Sequence, residues 1–361
     1  MLPDADLRAY VFASTRSSVI GMGLRVMDAK LEAAPQSTAD RPSAPPAVNE
    51  IVKILRAVNA GELQRPRVPG LDGLSGDRLI ALLTALAARL PPDSNCYLEI
   101  GVFQGLTLLS VASANPALHC YGVDNFSQFD PGGKNRAVLE ARRTAIVAHN
   151  AHLVDLDYED AFAGLATHIG NRKLGLYFVD GPHDYRSQFM CLVLALPYLA
   201  QDAVVVIDDC NYRHVRQANR DFLIAFPEFR MVFEAYTHRH PMNMSADDAM
   251  QARHGFWNGV NVLVRDPSRT LAAMEPVTER DRSLYLNDHL IHSSNLASLA
   301  PRILDLIQPL MRLPTFHDLA QAARALGALL GARFGSNRTP VFRSGNTYSD
   351  NLPTARFHPD V

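Results

Sequence analysis

The chain has 361 residues, 47% of them hydrophobic, with a formal net charge of −2. That length can bury one large core with appendages, or two or three small domains. The near-neutral balance gives no electrostatic case for nucleic acid, and the absence of like-charge runs none for an anionic membrane. No stretch approaches the roughly 20 apolar residues of a membrane span, so the expected partner is a small molecule.

Residues 1–47 read as an amino-terminal arm ending in a proline-rich linker at 33–46. Asp4, Asp6, Arg16 and Arg25 argue against a cleaved secretory signal, and the chain is expected to be cytoplasmic. Cys96, Cys120, Cys191 and Cys210 lack the paired spacing of a zinc or redox motif and read as core residues in a reducing compartment. Residues 48–92 form a helical segment, with helices predicted over 48–60 and 75–90 and Ser75 capping the second.

From about residue 95 strands alternate with helices, the signature of a parallel sheet covered on both faces. Strands are predicted at 95–100, 118–123, 151–155, 174–180, 203–208, 228–235 and 256–264. Helices are predicted at 104–114, 134–149, 158–168, 184–199 and 213–225. The polar loop at 236–254, with Thr237, His238, Arg239 and His240, reads as a lid over the strand ends, whereas Phe256 and Trp257 are expected in the core. Residues 271–332 return to helical spacing, with Leu296, Leu299, Ile303, Leu304 and Ile307 on one face, and 333–361 read as a mobile or partner-bound tail. The helical extensions would shape an acceptor site or a homo-oligomer interface.

Chemistry concentrates where the apolar runs stop. Leu-Gly-Leu-Tyr-Phe-Val-Asp at 174–180 and Ala-Val-Val-Val-Ile-Asp-Asp at 203–209 are buried strands ending in acids. Ligands of open α/β sheets bind outside the carboxyl ends of strands, so Asp180, His183, Asp208 and Asp209 face a pocket. Clustered carboxylates repel unless a cation is present, and hard oxygen ligands favour magnesium or calcium over zinc. The first strand turns through Glu99, Gly101 and Gly105, where glycines would let backbone approach a ligand. Asp124, twenty-three residues after Gly101, stands near the distance at which an acid meets ribose hydroxyls. Asp157 and Tyr158 could meet an adenine. Each acid could instead cap a helix.

Together, Glu99-x-Gly101-x-x-x-Gly105, Asp124 and the seven-strand ending resemble class I S-adenosylmethionine-dependent methyltransferases over residues 95–265. The resemblance implies a Rossmann-like α/β sheet in the order 3-2-1-4-5-7-6, a cofactor-binding core over 93–270, and cofactor contacts from Glu99, Gly101, Gly105, Asp124, Asn125, Asp157 and Tyr158. Asp180, Asp208 and Asp209 are spaced as in metal-dependent O-methyltransferases of the catechol and caffeoyl types. The run Val-Asp-Gly-Pro-His-Asp-Tyr at 179–185 is similar to that of macrolide-sugar (macrocin and mycinamicin type) O-methyltransferases of natural-product biosynthesis, which implies His183 as the base. The implied function is methyl transfer from S-adenosylmethionine to a hydroxyl of a sugar or glycosylated small molecule, with magnesium, calcium or manganese. The alternatives are an aromatic diol acceptor, or a catalytically silent binding protein on the same fold.

Overall fold

The computed structural model describes residues 45–130, 132–239, 244–285 and 352–361, with isolated helical positions between 320 and 327. The arm at 1–44, nearly all of the helices expected through 296–330, and the first part of the tail lie outside the described residues.

Eight strands form one sheet: β1 (Cys96–Ile100), β2 (His119–Val123), β3 (Ala151–Val154), β4 (Leu174–Val179), β5 (Leu199–Ile207), β6 (Phe229–Ala235), β7 (Val260–Arg265) and β8 (Ala355–Phe357). Their order is β3-β2-β1-β4-β5-β7-β6-β8. The first five run parallel, and β7 is antiparallel to both β5 and β6. The expected order 3-2-1-4-5-7-6 is therefore present, extended by one strand at the β6 edge.

The apolar strands alternate between two cores, as the two-residue period of a pleated strand requires. Tyr97, Leu176, Phe178, Val204 and Val206 point to one face, where α1 (Pro46–Ala60), α2 (Asp77–Ala88) and α3 (Leu106–Ala114) contribute Ile51, Leu55, Leu83 and Leu109. Leu98, Ile100, Tyr177, Val179, Val205 and Ile207 point to the other, against residues of α5 (Tyr158–Ala163), α6 (Leu165–Ile169), α7 (Tyr185–Ala195) and α8 (Arg213–Ala225). Between them, α4 (Asn135–Ala145) follows β2 and α9 (Ala246–His254) precedes β7. Burial of both faces explains why these strands are apolar throughout rather than alternating. All four cysteines are buried and unpaired.

Several local expectations change. Ser75 does not cap α2: Gly76 holds the cap position without a side-chain bond, and Ser75 is buried one residue earlier. The helix predicted over 158–168 is two short helices divided at Gly164. The loop at 236–254 contains α9, capped by Ser245, which accepts from the Asp248 N–H. Part of the tail expected to be mobile is β8, antiparallel to β6. Arg356 Nε lies 2.5 Å from the buried Glu234 carboxylate, Arg356 Nη2 donates to Glu275 O at 2.6 Å, and the His358 N–H donates to Val232 O at 3.0 Å. Among the described residues, no helix is long and apolar enough to cross a membrane.

Candidate active site

A cavity of about 600 Å³ opens at the carboxyl ends of β1, β2, β4 and β5. Its wall includes Gly101, Asp124, Asn125, Asp157 and Tyr158 on one side and Asp180, His183 and Asp209 on the other. Leu74, Phe129 and Leu156 are exposed large apolar residues on the same wall.

On the glycine side, Asp124 is the organising group. Its Oδ2 accepts from the Val102 and Phe103 N–H groups at 2.8 Å each, and its Oδ1 accepts from the Phe126 N–H at 2.7 Å. The strand-end acid thus fixes the turn that follows β1. Gly101 and Gly105 have φ of +86° and +82°, open to glycine at little cost. Packing within the protein sets both positions. A Cβ on Gly101 would sit 1.8 Å from the Asp180 carbonyl oxygen, and one on Gly105 would sit 2.3 Å from Leu139 Cδ1. The expectation that these glycines clear space for a ligand therefore gives way to close approach between chain segments, although Gly101 also borders the cavity.

Glu99 is fully buried and is not part of the cavity wall. Its carboxyl accepts from Tyr97 Oη at 2.6 Å and Thr107 Oγ1 at 3.1 Å. Burial pushes its pKa up to about 8, against the lowering effect of those two hydroxyls. Asp157 caps α5 by accepting from the Glu159 N–H at 3.0 Å and also accepts from Asn125 Nδ2 at 3.3 Å. The capping role and the cavity position coexist in one residue.

Across the cavity, the ends of β4 and β5 bring the acids together. Among the described residues, Asp180, His183 and Asp209 form a group whose ligand atoms all lie within 4.8 Å of one another. His183 Nε2 is 2.8 Å from Asp209 Oδ2, and its ring stacks on Tyr212 at a centroid distance of 5.2 Å and an angle of 9°. Asp208 stands outside this group. It is buried, and its Oδ1 accepts from the Asp209 N–H at 2.8 Å.

Burial, then the charges of Asp208 and Asp209, drive the Asp180 carboxyl well above the usual carboxylate range. Burial and the charge of Asp209 do the same to Asp208, against its hydrogen bond from the Asp209 N–H. For His183 burial acts to lower the pKa, but the charge and hydrogen bond of Asp209, with the charge of Asp184, raise it overall. Half-buried carboxyls that repel one another beside an imidazole are a donor set that fits a hard divalent ion.

Three neighbours carry no signal in local sequence. Tyr212 sets the plane of His183, Asn258 Nδ2 donates to Asp209 Oδ1, and Trp257 borders the cavity although it was expected in the core. Asn258 lies 49 residues from Asp209, so only tertiary structure pairs them. Phe256 is buried, as expected. Thr237, His238 and Arg239, expected in a lid, help wall a second cavity of about 830 Å³ with Arg78, Gln251 and Phe256.

Residues 98–210 match a family model described as a methyltransferase domain. That stretch runs from within β1 to the residue after Asp209 and includes Glu99, Gly101, Gly105, Asp124, Asp157, Asp180, His183, Asp208 and Asp209. Over those residues the chain is similar to a methyltransferase domain, and the sheet that holds them is Rossmann-like. Solved structures of similar fold include an O-methyltransferase from Bacillus cereus in complex with SAH, at 12% identity and TM-score 0.39, covering 60% of this chain and 90% of that one. The O-methyltransferase TomG from Streptomyces achromogenes, involved in tomaymycin synthesis and in complex with SAM, has 16% identity, TM-score 0.38 and coverage of 62% and 91%. An rRNA methylase from Streptococcus thermophilus has 13% identity, TM-score 0.34 and coverage of 52% and 95%. These likenesses are of fold alone and select no acceptor. No curated protein matches the chain in sequence.

Proposed function

We propose that this chain is an S-adenosylmethionine-dependent O-methyltransferase that acts, with a divalent cation, on a hydroxyl of a sugar or glycosylated natural product. Magnesium is the first choice of ion, with calcium and manganese as alternatives. The observation that carries the reading is that one cavity has the Asp124-braced glycine turn on one wall and the Asp180, His183 and Asp209 group on the other.

Gly101, Asp124, Asn125, Asp157 and Tyr158 would bind the methyl donor. Asp124 accepts three backbone N–H groups, which leaves about one lone-pair site, on Oδ1, for a ribose hydroxyl. Glu99 would support the turn from within the core. Asp180 and Asp209, with Asp208 beside them, would hold the cation, whose chemistry when bound is to lower the pKa of an acceptor hydroxyl and fix its direction. His183 would take the acceptor proton. Its Nε2 is engaged by Asp209, so the proton is received at Nδ1. Tyr212 holds the ring in place by stacking.

The exposed apolar residues Leu74, Phe129 and Leu156, with Trp257, favour a second reading in which the acceptor is an aromatic diol. The experiment is methyl transfer from S-adenosylmethionine to panels of glycosides and catechols, with magnesium and with chelator. Glycoside methylation that stops in chelator is the expected result. Methylation of catechols alone overturns the sugar acceptor, and full activity in chelator overturns the cation.

A further inference from the structure

Asn258 sits where two strand ends meet beside the acids. The Asn211 N–H donates to Asn258 O at 2.9 Å and the Cys210 N–H donates to Gly259 O at 3.3 Å, so residues 258–259 extend the β5–β7 pairing into the loop that carries Asp209. Three residues here adopt left-handed backbone: Asp209 at φ +55°, Trp257 at +61° and Gly259 at +90°. Gly259 is obligatory, since a Cβ there would lie 2.6 Å from Asn211 Oδ1. A bulky residue such as Trp257 is an outlier in this region. Such backbone persists only where the surroundings over-determine it, and it clusters at functional sites.

The result of this geometry is specific. Trp257 reaches the cavity wall and the Asn258 carboxamide reaches Asp209, Nδ2 donating to Oδ1. With His183 on Oδ2, both oxygens of the Asp209 carboxylate are held. Asn258 is 1% exposed, and among the described residues its Oδ1 has no hydrogen-bond partner. A side chain present only for core stability would not leave a buried acceptor unpaired, because that costs more than an apolar replacement.

We infer that Asn258 is a positioning residue that sets the Asp209 carboxylate for a divalent cation. The inference rests on the cation-dependent reading above. Its physical basis is that a ligand already fixed by an outer hydrogen bond need not be ordered when the ion binds.

The chain has a single tryptophan, and it is Trp257. Paramagnetic quenching of its fluorescence by Mn²⁺ therefore reads occupancy of the neighbouring site without any turnover. The full chain and its Asn258→Ala variant are titrated with Mn²⁺, and S-adenosylhomocysteine affinity is measured by calorimetry as the control. Saturable quenching is expected in the wild type, with Mn²⁺ binding about 10–100-fold weaker in the variant and S-adenosylhomocysteine affinity within about twofold. Equal Mn²⁺ affinity in the two proteins overturns the positioning role while leaving the cation site standing. Absence of saturable Mn²⁺ binding to the wild type overturns the cation site and this inference with it. Should the alanine variant not fold, Asn258→Ser, smaller and still polar, carries the same comparison.

Discussion

The two walls of the cavity solve the same problem, a carboxylate at a strand end, in opposite ways. Asp124 is met by three backbone N–H groups and braces its own turn. Asp180, half-buried, and Asp208, buried, lie beside further acids, and their carboxyls are pushed towards the neutral form. The first wall is complete as a protein structure. The second gathers carboxyls whose charges oppose one another, and there His183 and Asn258 hold Asp209. The difference teaches that an acid at a strand end is not itself a functional assignment: what its oxygens accept decides between bracing and binding.

The junction between the walls gives the harshest way to break this contrast. Gly101→Ala combines φ +86° with a Cβ placed 1.8 Å from the Asp180 carbonyl. The expected loss is about 3 kcal/mol or more, enough to lower the yield of folded protein, read by chemical denaturation. His183→Ala should reduce methyl transfer by about 10²-fold or more while leaving S-adenosylhomocysteine affinity unchanged. A parallel loss of cofactor affinity would move His183 from the acceptor wall to the donor wall.

Asp124→Ala should cost about 2 kcal/mol of stability and weaken S-adenosylhomocysteine binding, since removing it leaves three N–H donors unmet. Loss of affinity with unchanged stability would mean that the brace is unimportant and the acid acts on ligand alone. The smallest effect concerns Glu99, whose pKa is raised from 4.5 to about 8. A carboxyl with a raised folded-state pKa contributes most stability below its unfolded value and loses it as pH climbs. Melting temperature should therefore decline as pH rises from 4.5 towards 8, with a shallower slope in Glu99→Gln. An identical slope in the two proteins would assign the decline to other groups.

The strands were legible because burial of both faces writes a continuous apolar run into sequence. The helix at 213–225 was legible to the residue. Strand order came from family resemblance and agrees with the observed pairing. The acids announced themselves by standing where apolar runs end, but their division of labour did not. Whether Asp124 or Asp180 meets backbone donors depends on how the chain turns after each strand, which no local pattern encodes. Asn258 was invisible for the same reason, its partner lying far away in sequence. β8 was missed because Ala355–Phe357 is too short to show a period and is held by Arg356 reaching Glu234 across the chain.

That last strand has a consequence for how the molecule behaves in concentrated solution. A long bare β6 margin would offer its unpaired amides and carbonyls to any passing extended peptide. The short stretch Ala355–Phe357 occupies that margin and presents only a brief one of its own, with a charged Arg356 turned into the fold. Cutting the chain ahead of residue 352 would reopen the margin, and self-association rather than simple loss of the segment would be the first symptom.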